Sequence, residues 1–333
     1  MQALFYTAPN TMALQETEAP LLADQEVVID IGAVGICGSD MHAYHGKDPR
    51  RQPGLILGHE FSGVIAASAS GEWRVGQRVT GNPLITCGRC KYCLQGRDNL
   101  CQNRTMVGMT RPGAFAQQMA IPVSTLIAIP DELSLEHAAL TEPAATALHA
   151  VRLSLDALVT PLPDARVLIL GGGAIGMLSA LLLRHYGCED LTLAETNALR
   201  RKTLSQHTGA TLLDPISEAP QEAGFDLVID AVGSAKTRTV ALSAVAPGGV
   251  VMHIGLQDWA SEIDMRRLTL AEISLLGTYT YTQRDLEETV SLLHRGGFGD
   301  LKWIDPRPLK DGVQAFADLD QGKTASPKII LCP

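Results

Sequence analysis

A continuously apolar run that ends in clustered glycines, RVLILGGGAIG at 166–176, is the feature that most limits how this chain can fold. A helical pattern over 174–186 follows it directly. Strand-like and helix-like segments then alternate as far as GGVVMHIG at 248–255. Strands that are apolar throughout are typical of a parallel sheet with helices on both faces. This part of the sequence therefore predicts a doubly wound α/β domain.

The alternating elements can be placed individually. We predict strands at 191–195 and 225–233, and helices at 198–208 and 237–245. The stretch DPISEAPQEAGFD at 214–226 contains two prolines and a glycine, which disfavour a full crossover helix. We expect a loop or one short turn there.

The N-terminal part has a different character. Short β-type runs at 26–31, 61–66 and 77–80 are separated by glycines and prolines, which is typical of a β-rich or barrel-like region. The pattern changes near Pro143, where 141–155 predicts a helix. The last stretch, with a predicted helix at 286–295 and strand at 328–331, could complete either region on sequence alone.

Composition excludes several functional classes. The formal net charge is −9 and no long basic block offsets it, which argues against a nucleic-acid surface. The first residues lack a basic region followed by an apolar one, and no run of about 18 apolar residues occurs. We therefore expect no secretory signal, no membrane span and a cytoplasmic location.

The glycine turn satisfies the pattern G-x-G-x-x-G in the strand–turn–helix context that dinucleotide binding requires. Gly171 would make the tight turn, Gly173 would let the backbone approach a pyrophosphate, and Gly176 would let helix and strand pack closely. Ala174 and Ile175 open the helix whose N-terminus faces the anion.

The predicted second strand ends in Glu195, 19 residues after Gly176. An acid there accepts hydrogen bonds from ribose hydroxyls and repels a 2′-phosphate, which favours NAD over NADP. Arg200 and Arg201 could instead hold a phosphate, so NADP remains the less favoured alternative.

Four cysteines are spaced C-x2-C-x2-C-x7-C, at Cys87, Cys90, Cys93 and Cys101. Four thiolates so close in sequence can close the tetrahedral shell of a structural zinc ion. In a chain without an export signal this spacing favours metal over disulfides. We expect Cys188 and Cys332 to be plain buried thiols.

A second, open metal site has weaker support from spacing. Cys37 lies in GICGSDMH and His59 in GHEFSG, and neither has a partner at a short metal-ligand spacing. Glu60 follows His59, and Glu142 precedes a proline. One cysteine, one histidine and one or two carboxylates would form a catalytic type of zinc centre.

Five motifs together carry a resemblance over essentially the whole chain. They are GICGSDMH at 35–42, GHEFSG at 58–63, the four-cysteine run, TEPAATALHA at 141–150 and the turn GGGAIG. With them the chain resembles the zinc-dependent medium-chain dehydrogenase/reductase superfamily, and within it the polyol branch of sorbitol and galactitol-1-phosphate dehydrogenases.

The resemblance implies a GroES-like β-barrel catalytic domain at 1–150 with both zinc sites, a Rossmann domain at 151–285, and a return to the catalytic domain at 286–333. Cys37 and His59 would ligate catalytic zinc, and Glu60 would be a direct or transient ligand. Glu142 matches a carboxylate that ligates zinc or holds its water in polyol enzymes, where many simple alcohol dehydrogenases have cysteine.

The same resemblance assigns a proton relay to the first motif. Ser39 matches the hydroxyl that takes the substrate proton, and His42 matches the relay histidine. Asp40 matches the carboxylate that orients the histidine ligand.

The resemblance implies hydride transfer between NAD and a secondary alcohol of a polyol, sugar alcohol or sugar derivative, phosphorylated or not, with two zinc ions per chain. It also suggests a homodimer or homotetramer. A small-diol, threonine-type or sugar-acid dehydrogenase is the alternative within this class, and a non-catalytic NAD-binding sensor is the alternative outside it.

For two further features we favour a structural interpretation over a functional one. Lys47, Arg50 and Arg51 could grip a phosphate or carboxylate of the substrate, but a solvated charged loop is the favoured interpretation. Trp259 could approach cofactor or substrate, although packing is the better expectation.

Overall fold

The computed structural model describes residues 1–333. The N-terminal part consists mainly of short strands. Its elements are β1 (Gln2–Ala8), β2 (Thr11–Glu16), β3 (Glu26–Gly35), α1 (Gly38–Tyr44), β4 (Leu55–Ile56), β5 (Glu60–Ser68), β6 (Arg78–Gly81), β7 (Leu84–Ile85), α2 (Lys91–Leu94), β8 (Thr105–Met106), β9 (Gln118–Pro122), β10 (Leu126–Ala128) and α3 (Leu135–Ala138).

Helices and strands alternate in the rest of the chain. The elements are α4 (Thr141–Ala157), β11 (Arg166–Leu170), α5 (Ala174–His185), β12 (Asp190–Ala194), α6 (Ala198–His207), β13 (Thr211–Leu213), β14 (Phe225–Asp230), α7 (Ala235–Ala244), β15 (Val245–His253), α8 (Met265–Leu270), β16 (Ser274–Gly277), α9 (Gln283–His294), β17 (Ile304–Pro308), α10 (Gly312–Asp320) and β18 (Lys328–Cys332).

A six-stranded parallel sheet forms the second part, in the order β13-β12-β11-β14-β15-β16. The predicted α/β fold class is therefore confirmed, as are the predicted strands and helices within it. No helix forms between β13 and β14, as expected, and the carbonyl of Asp214 accepts from the backbone of Ser217 and Glu218 in a turn. The sequence analysis did not predict β13, α8 or β16.

The C-terminus returns to the N-terminal sheet. Strand β18 pairs antiparallel with β3, with Ile330 opposite Gly35, and β17 pairs parallel with β18. The sheet order is β10-β6-β5-β3-β18-β17, and β9 also pairs with β3. The last strands thus complete the β-rich part, which the sequence alone left open. The domain boundaries at 150 and 285 stay predictions.

Two main hydrophobic cores underlie these sheets. One joins the N-terminal sheet to the C-terminal helix α10 through Phe61, Phe115 and Phe316. The other packs α4, α5 and α9 against one face of the parallel sheet. None of the helices has the length and apolar character needed to cross a lipid bilayer.

A buried carboxylate fastens α9 to α4. Thr282 and Asp285 form a capping box at the start of α9. The Asp285 side chain also contacts His149 Nδ1 at 2.9 Å and Arg152 Nη1 at 2.6 Å, both on α4. Burial alone would raise the pKa of Asp285, but hydrogen bonds from His149 and Thr282 lower it well below its ordinary value.

We expect Asp285→Asn to lower the free energy of unfolding at pH 7 by about 2 kcal/mol, because the amide cannot form an ion pair with the Arg152 guanidinium. The folded-state pKa is depressed, so the wild-type advantage is fully present above the unfolded pKa of about 4 and is lost as the pH falls further. Urea unfolding between pH 7 and 3.5 measures this.

The exposed Glu287→Gln on the same helix is the control and should change stability little at any pH. An Asp285→Asn deficit that stays constant down to pH 3.5 would contradict the ionic account.

Candidate active site

The pairing of β3 with β5 brings three potential metal ligands together. Gly35, at the end of β3, lies opposite Glu60, at the start of β5. A side chain at Gly35 would overlap the Glu60 carboxylate and displace it from this position. Ligand atoms of Cys37, His59 and Glu60 lie within 4.8 Å of one another. The register thus assembles residues that are more than 20 positions apart.

The electrostatics of this cluster fit a cation. Burial alone would lower the pKa of the His59 imidazole, but the Asp40 carboxylate and the Cys37 thiol raise it well above its ordinary value. A thiol and carboxylates around one imidazole therefore favour a positive charge at this point. Zn²⁺ binds this donor set and supplies such a charge.

Helix α1 presents the predicted relay residues beside the cluster. Ser39 Oγ lies 3.5 Å from His59 Nε2. Asp40 is fully buried, and its Oδ1 lies 3.4 Å from His59 Nδ1. Burial would raise the pKa of Asp40, but His59 and Arg51 lower it. His42 is half-buried, and burial together with Lys47 lowers its pKa.

Glu142 lies outside the close ligand group, in the first turn of α4. Its Oε1 accepts a 2.8 Å hydrogen bond from the hydroxyl of Tyr281, which is fully buried. Burial and the carboxylate of Glu60 raise the pKa of Glu142 to about 7, against the lowering effect of His59. The sequence analysis missed Tyr281, which no motif marks. This position suits a carboxylate that holds a water better than a resident ligand.

Lys328 is a second residue that the sequence analysis missed. Its ammonium lies 2.7 and 2.6 Å from the two carboxylate oxygens of Glu60 and 2.9 Å from the carbonyl oxygen of Ile36. The side chain is buried, at the first position of β18. A lysine that opens the otherwise apolar run KIILC was the available signal.

The favoured interpretation of 47–51 as a solvated charged loop is wrong for one residue. Lys47 and Arg50 are exposed, but Arg51 is 2% exposed. Its guanidinium donates to Ser39, Asp48 and Gly108. Trp259 is 84% exposed, so the expected packing role is also wrong.

The four cysteines of the lobe converge as a second group. Ligand atoms of all four lie within 4.8 Å of one another. Backbone N–H groups of Arg89 and Cys90 lower the pKa of Cys87 to about 6, whereas burial and neighbouring thiols raise that of Cys93 to about 12. Such crowding of thiols fits a thiolate-bound cation, which would remove the protons that they otherwise hold. Cys188 is buried as expected, and Cys332 is only partly so.

The glycine turn combines a left-handed backbone, a close internal contact and an open face. Gly171 has φ of +96°. A Cβ on Gly176 would overlap the carbonyl oxygen of Gly171, whereas a Cβ on Gly173 would meet no atom within 4 Å. Gly173 therefore faces open space at the N-terminus of α5, where Ala174 and Ile175 are half-exposed. A pyrophosphate can approach the backbone there.

Glu195 lies beside this turn, after β12. Its Oε2 accepts a 2.9 Å hydrogen bond from the Gly172 backbone, and its Oε1 accepts one of 2.7 Å from Asn197. Arg200 Nη1 is 3.3 Å from the same carboxylate. Arg201 instead donates to the carbonyls of Glu195 and Thr196 and pairs with Asp214. Each of the two arginines therefore has an acidic partner.

Family models match both parts of the chain. Residues 23–131 match the alcohol dehydrogenase GroES-like domain, and residues 174–295 match the zinc-binding dehydrogenase domain. Together they span the cysteine lobe, the Cys37 cluster and the glycine-rich helix.

Two relatives are similar over most of their length. A 2-dehydro-3-deoxy-L-galactonate 5-dehydrogenase of Pseudoalteromonas atlantica is 32% identical over 320 residues, covering 92% of each chain. An L-threonine 3-dehydrogenase of Chelativorans sp. is 31% identical, covering 84% of this chain and 83% of its own.

A solved zinc-binding dehydrogenase structure from Sinorhizobium meliloti 1021, bound to NADP, has 29% identity and a TM-score of 0.89 and covers 100% of this chain and 99% of its own. Similarity in sequence and fold thus extends over both sheets and both metal-ligand clusters. On these grounds the chain belongs to the zinc-dependent medium-chain dehydrogenase/reductase superfamily and is an oxidoreductase of the zinc-binding alcohol dehydrogenase type.

Proposed function

We propose that this enzyme transfers hydride between NAD and a secondary alcohol of a polyol, sugar alcohol or sugar derivative. The observation that carries the proposal is the cluster of Cys37, His59 and Glu60 with a carboxylate, Glu142, held nearby by Tyr281. Glutamate at this position, where simple alcohol dehydrogenases often have cysteine, supports the polyol class.

Each residue has a distinct task in this proposal. Cys37, His59 and transiently Glu60 would hold a zinc ion, which supplies Lewis-acid chemistry to the substrate oxygen. Ser39 accepts the substrate proton and passes it toward His42, which is half-buried and therefore reaches solvent. Asp40 orients His59, and Glu142 holds a water or a substrate hydroxyl through the oxygen that Tyr281 leaves free.

A sugar-acid substrate is the second candidate. The sugar-acid dehydrogenase relative supports it, and so does a cation beside the segment that carries Tyr281. The exposed Arg104 lies over the ring of Tyr279, 4.7 Å from its centroid, two positions before Tyr281. A carboxylate or phosphate on the substrate could bind this guanidinium. The threonine 3-dehydrogenase relative keeps an amino-alcohol substrate as a further alternative.

Support for NAD comes from Glu195, whose buried carboxylate is fixed by two backbone N–H groups. A 2′-phosphate beside it would meet a carboxylate that cannot turn away. The Sinorhizobium meliloti relative is bound to NADP, so Arg200 remains the residue that could favour the phosphate. Because Arg200 is already paired with Glu195, we expect it to influence the choice of cofactor less than the carboxylate does.

We also propose a homo-oligomer, with β16 at the contact. This strand is one of the two edges of the parallel sheet. Apolar side chains are exposed beside it, at Trp259, Leu270 and Leu275. An unpaired strand edge with apolar neighbours is stabilised when a second copy covers it.

Purified enzyme should reduce NAD with polyols, and a chelator should abolish the reaction. A panel of polyols, sugar phosphates, aldonates, small diols and threonine, each with NAD and NADP, identifies the substrate class. Cys37→Ser should lose one zinc per chain and at least about 100-fold in kcat, because a thiolate ligand is gone. Cys332→Ser, outside both clusters, is the control. Full activity of Cys37→Ser would refute the assigned ligand.

The lobe should hold its own zinc. Cys90→Ser is expected to reduce bound zinc from two ions to one per chain and to lower the thermal midpoint by about 5 °C or more. Residual activity of the folded fraction should remain substantial. Zinc analysis and calorimetry measure this, with Cys188→Ala as the matched loss of a thiol. A variant that retains two zinc ions would contradict the assignment.

Glu195→Gln should shift cofactor preference toward NADP by roughly fivefold, because like charges about 4 Å apart repel by about 1 kcal/mol in a wet site. The ratio of kcat/KM values for the two cofactors measures the shift. Glu189→Gln, exposed just before β12, should leave the ratio unchanged. An unaltered ratio in Glu195→Gln would show that this carboxylate does not select the cofactor.

A further inference from the structure

Arg51 is a buried cation for which none of the roles above accounts. Its side chain is fully enclosed in the loop between α1 and β4. The guanidinium donates through Nε to the Gly108 carbonyl at 3.1 Å and through Nη1 to Asp48 at 2.8 Å. Nη2 also lies 4.0 Å from Asp40 Oδ1. Two carboxylates and a carbonyl thus fix its position.

The same guanidinium forms two hydrogen bonds with Ser39. Nη1 donates to the Ser39 carbonyl oxygen and Nη2 donates to Ser39 Oγ, both at 3.2 Å. The other side-chain neighbour of this hydroxyl is His59 Nε2, at 3.5 Å. An imidazole nitrogen that ligates a metal has no lone pair left to accept a hydrogen bond. In the loaded enzyme Arg51 is therefore the protein donor that holds the hydroxyl.

The hydrogen bond between these residues has a fixed direction. Arginine has only donors and stays charged, whereas a serine hydroxyl has one donor and two acceptor sites. Ser39 must therefore accept from Arg51, and its own hydrogen and second lone pair point away from the guanidinium. Those are the two sites that a proton relay uses, one to receive and one to deliver.

We propose that Arg51 is a positioning residue that orients the Ser39 hydroxyl for proton transfer between the substrate and His42. This inference rests on the proposed function and extends it, because it concerns how Ser39 performs its assigned step. Lysine could not replace Arg51, since one ammonium cannot reach Gly108, Asp48 and both Ser39 oxygens at once.

A double-mutant cycle between positions 51 and 39 tests the proposal. Arg51→Lys should lower kcat by about 10- to 100-fold, within the usual contribution of a proton-transfer group. The KM for alcohol, the Kd for NAD and the zinc content should change less than about twofold. The solvent deuterium isotope effect on kcat should rise, because proton transfer becomes slower. In a Ser39→Ala background, Arg51→Lys should lower kcat hardly any further.

Arg78→Lys is the matched control. Arg78 is a partly buried arginine of the same sheet region that donates only to the backbone carbonyls of Pro130, Asp131 and Leu133. It should lower the thermal midpoint and leave kcat and the isotope effect unchanged. If Arg51→Lys does not fold, Asp48→Asn can be used instead, because it removes the carboxylate that holds the Arg51 guanidinium. It should lower kcat by about 3- to 10-fold, and this effect should also disappear in the Ser39→Ala background.

The outcomes separate this inference from the proposed function. Losses from Arg51→Lys and Ser39→Ala that multiply would overturn the positioning role while leaving the proposed function intact. An isotope effect that does not change would do the same. Wild-type enzyme with no turnover on any alcohol would instead overturn the proposed function, and normal turnover in Ser39→Ala would overturn the relay and this inference together.

Discussion

The buried ion pair between Lys328 and Glu60 is the interaction on which the candidate site most depends. It joins the last strand of the chain to the first residue of β5 and also holds the Ile36 carbonyl, one position before Cys37. A buried carboxylate is costly without a partner, so the C-terminal strand must return to the N-terminal sheet for the ligand cluster to be stable. The chain end is therefore part of the site.

A second chain of contacts reaches the site from the cysteine lobe. Asn99 donates to the Tyr279 carbonyl at 2.8 Å, and Asp98 accepts from the Gln283 backbone. Tyr281, which lies between Tyr279 and Gln283 in the sequence, donates to Glu142. The lobe thus packs on the short segment that positions a carboxylate of the candidate site.

The fold and most ligand positions could be predicted because they leave local signals. Glycines at 171, 173 and 176 follow a buried strand, and cysteines at close spacing mark the lobe. Cys37 and His59 were joined only by resemblance, since their proximity depends on the register of β3 and β5. The contact of Tyr281 with Glu142 could not be predicted, because the two residues lie 139 positions apart. Nothing in 47–51 distinguishes the buried Arg51 from its exposed neighbours. Lys328 left only a weak signal, a lysine at the start of an otherwise apolar strand.

Arg51 illustrates why charge runs mislead a sequence-based interpretation. Lys47, Arg50 and Arg51 are similar in sequence, yet two are exposed and the third is enclosed. Asp48 accepts from both arginines, but only Arg51 also donates to Gly108 and Ser39, and Asp48 neutralises its buried charge. A buried guanidinium next to the candidate metal site would oppose metal binding unless carboxylates neutralised its charge. The pairing of Arg51 with Asp48, close to Asp40, lets the structure place a strong donor at Ser39 without that electrostatic penalty.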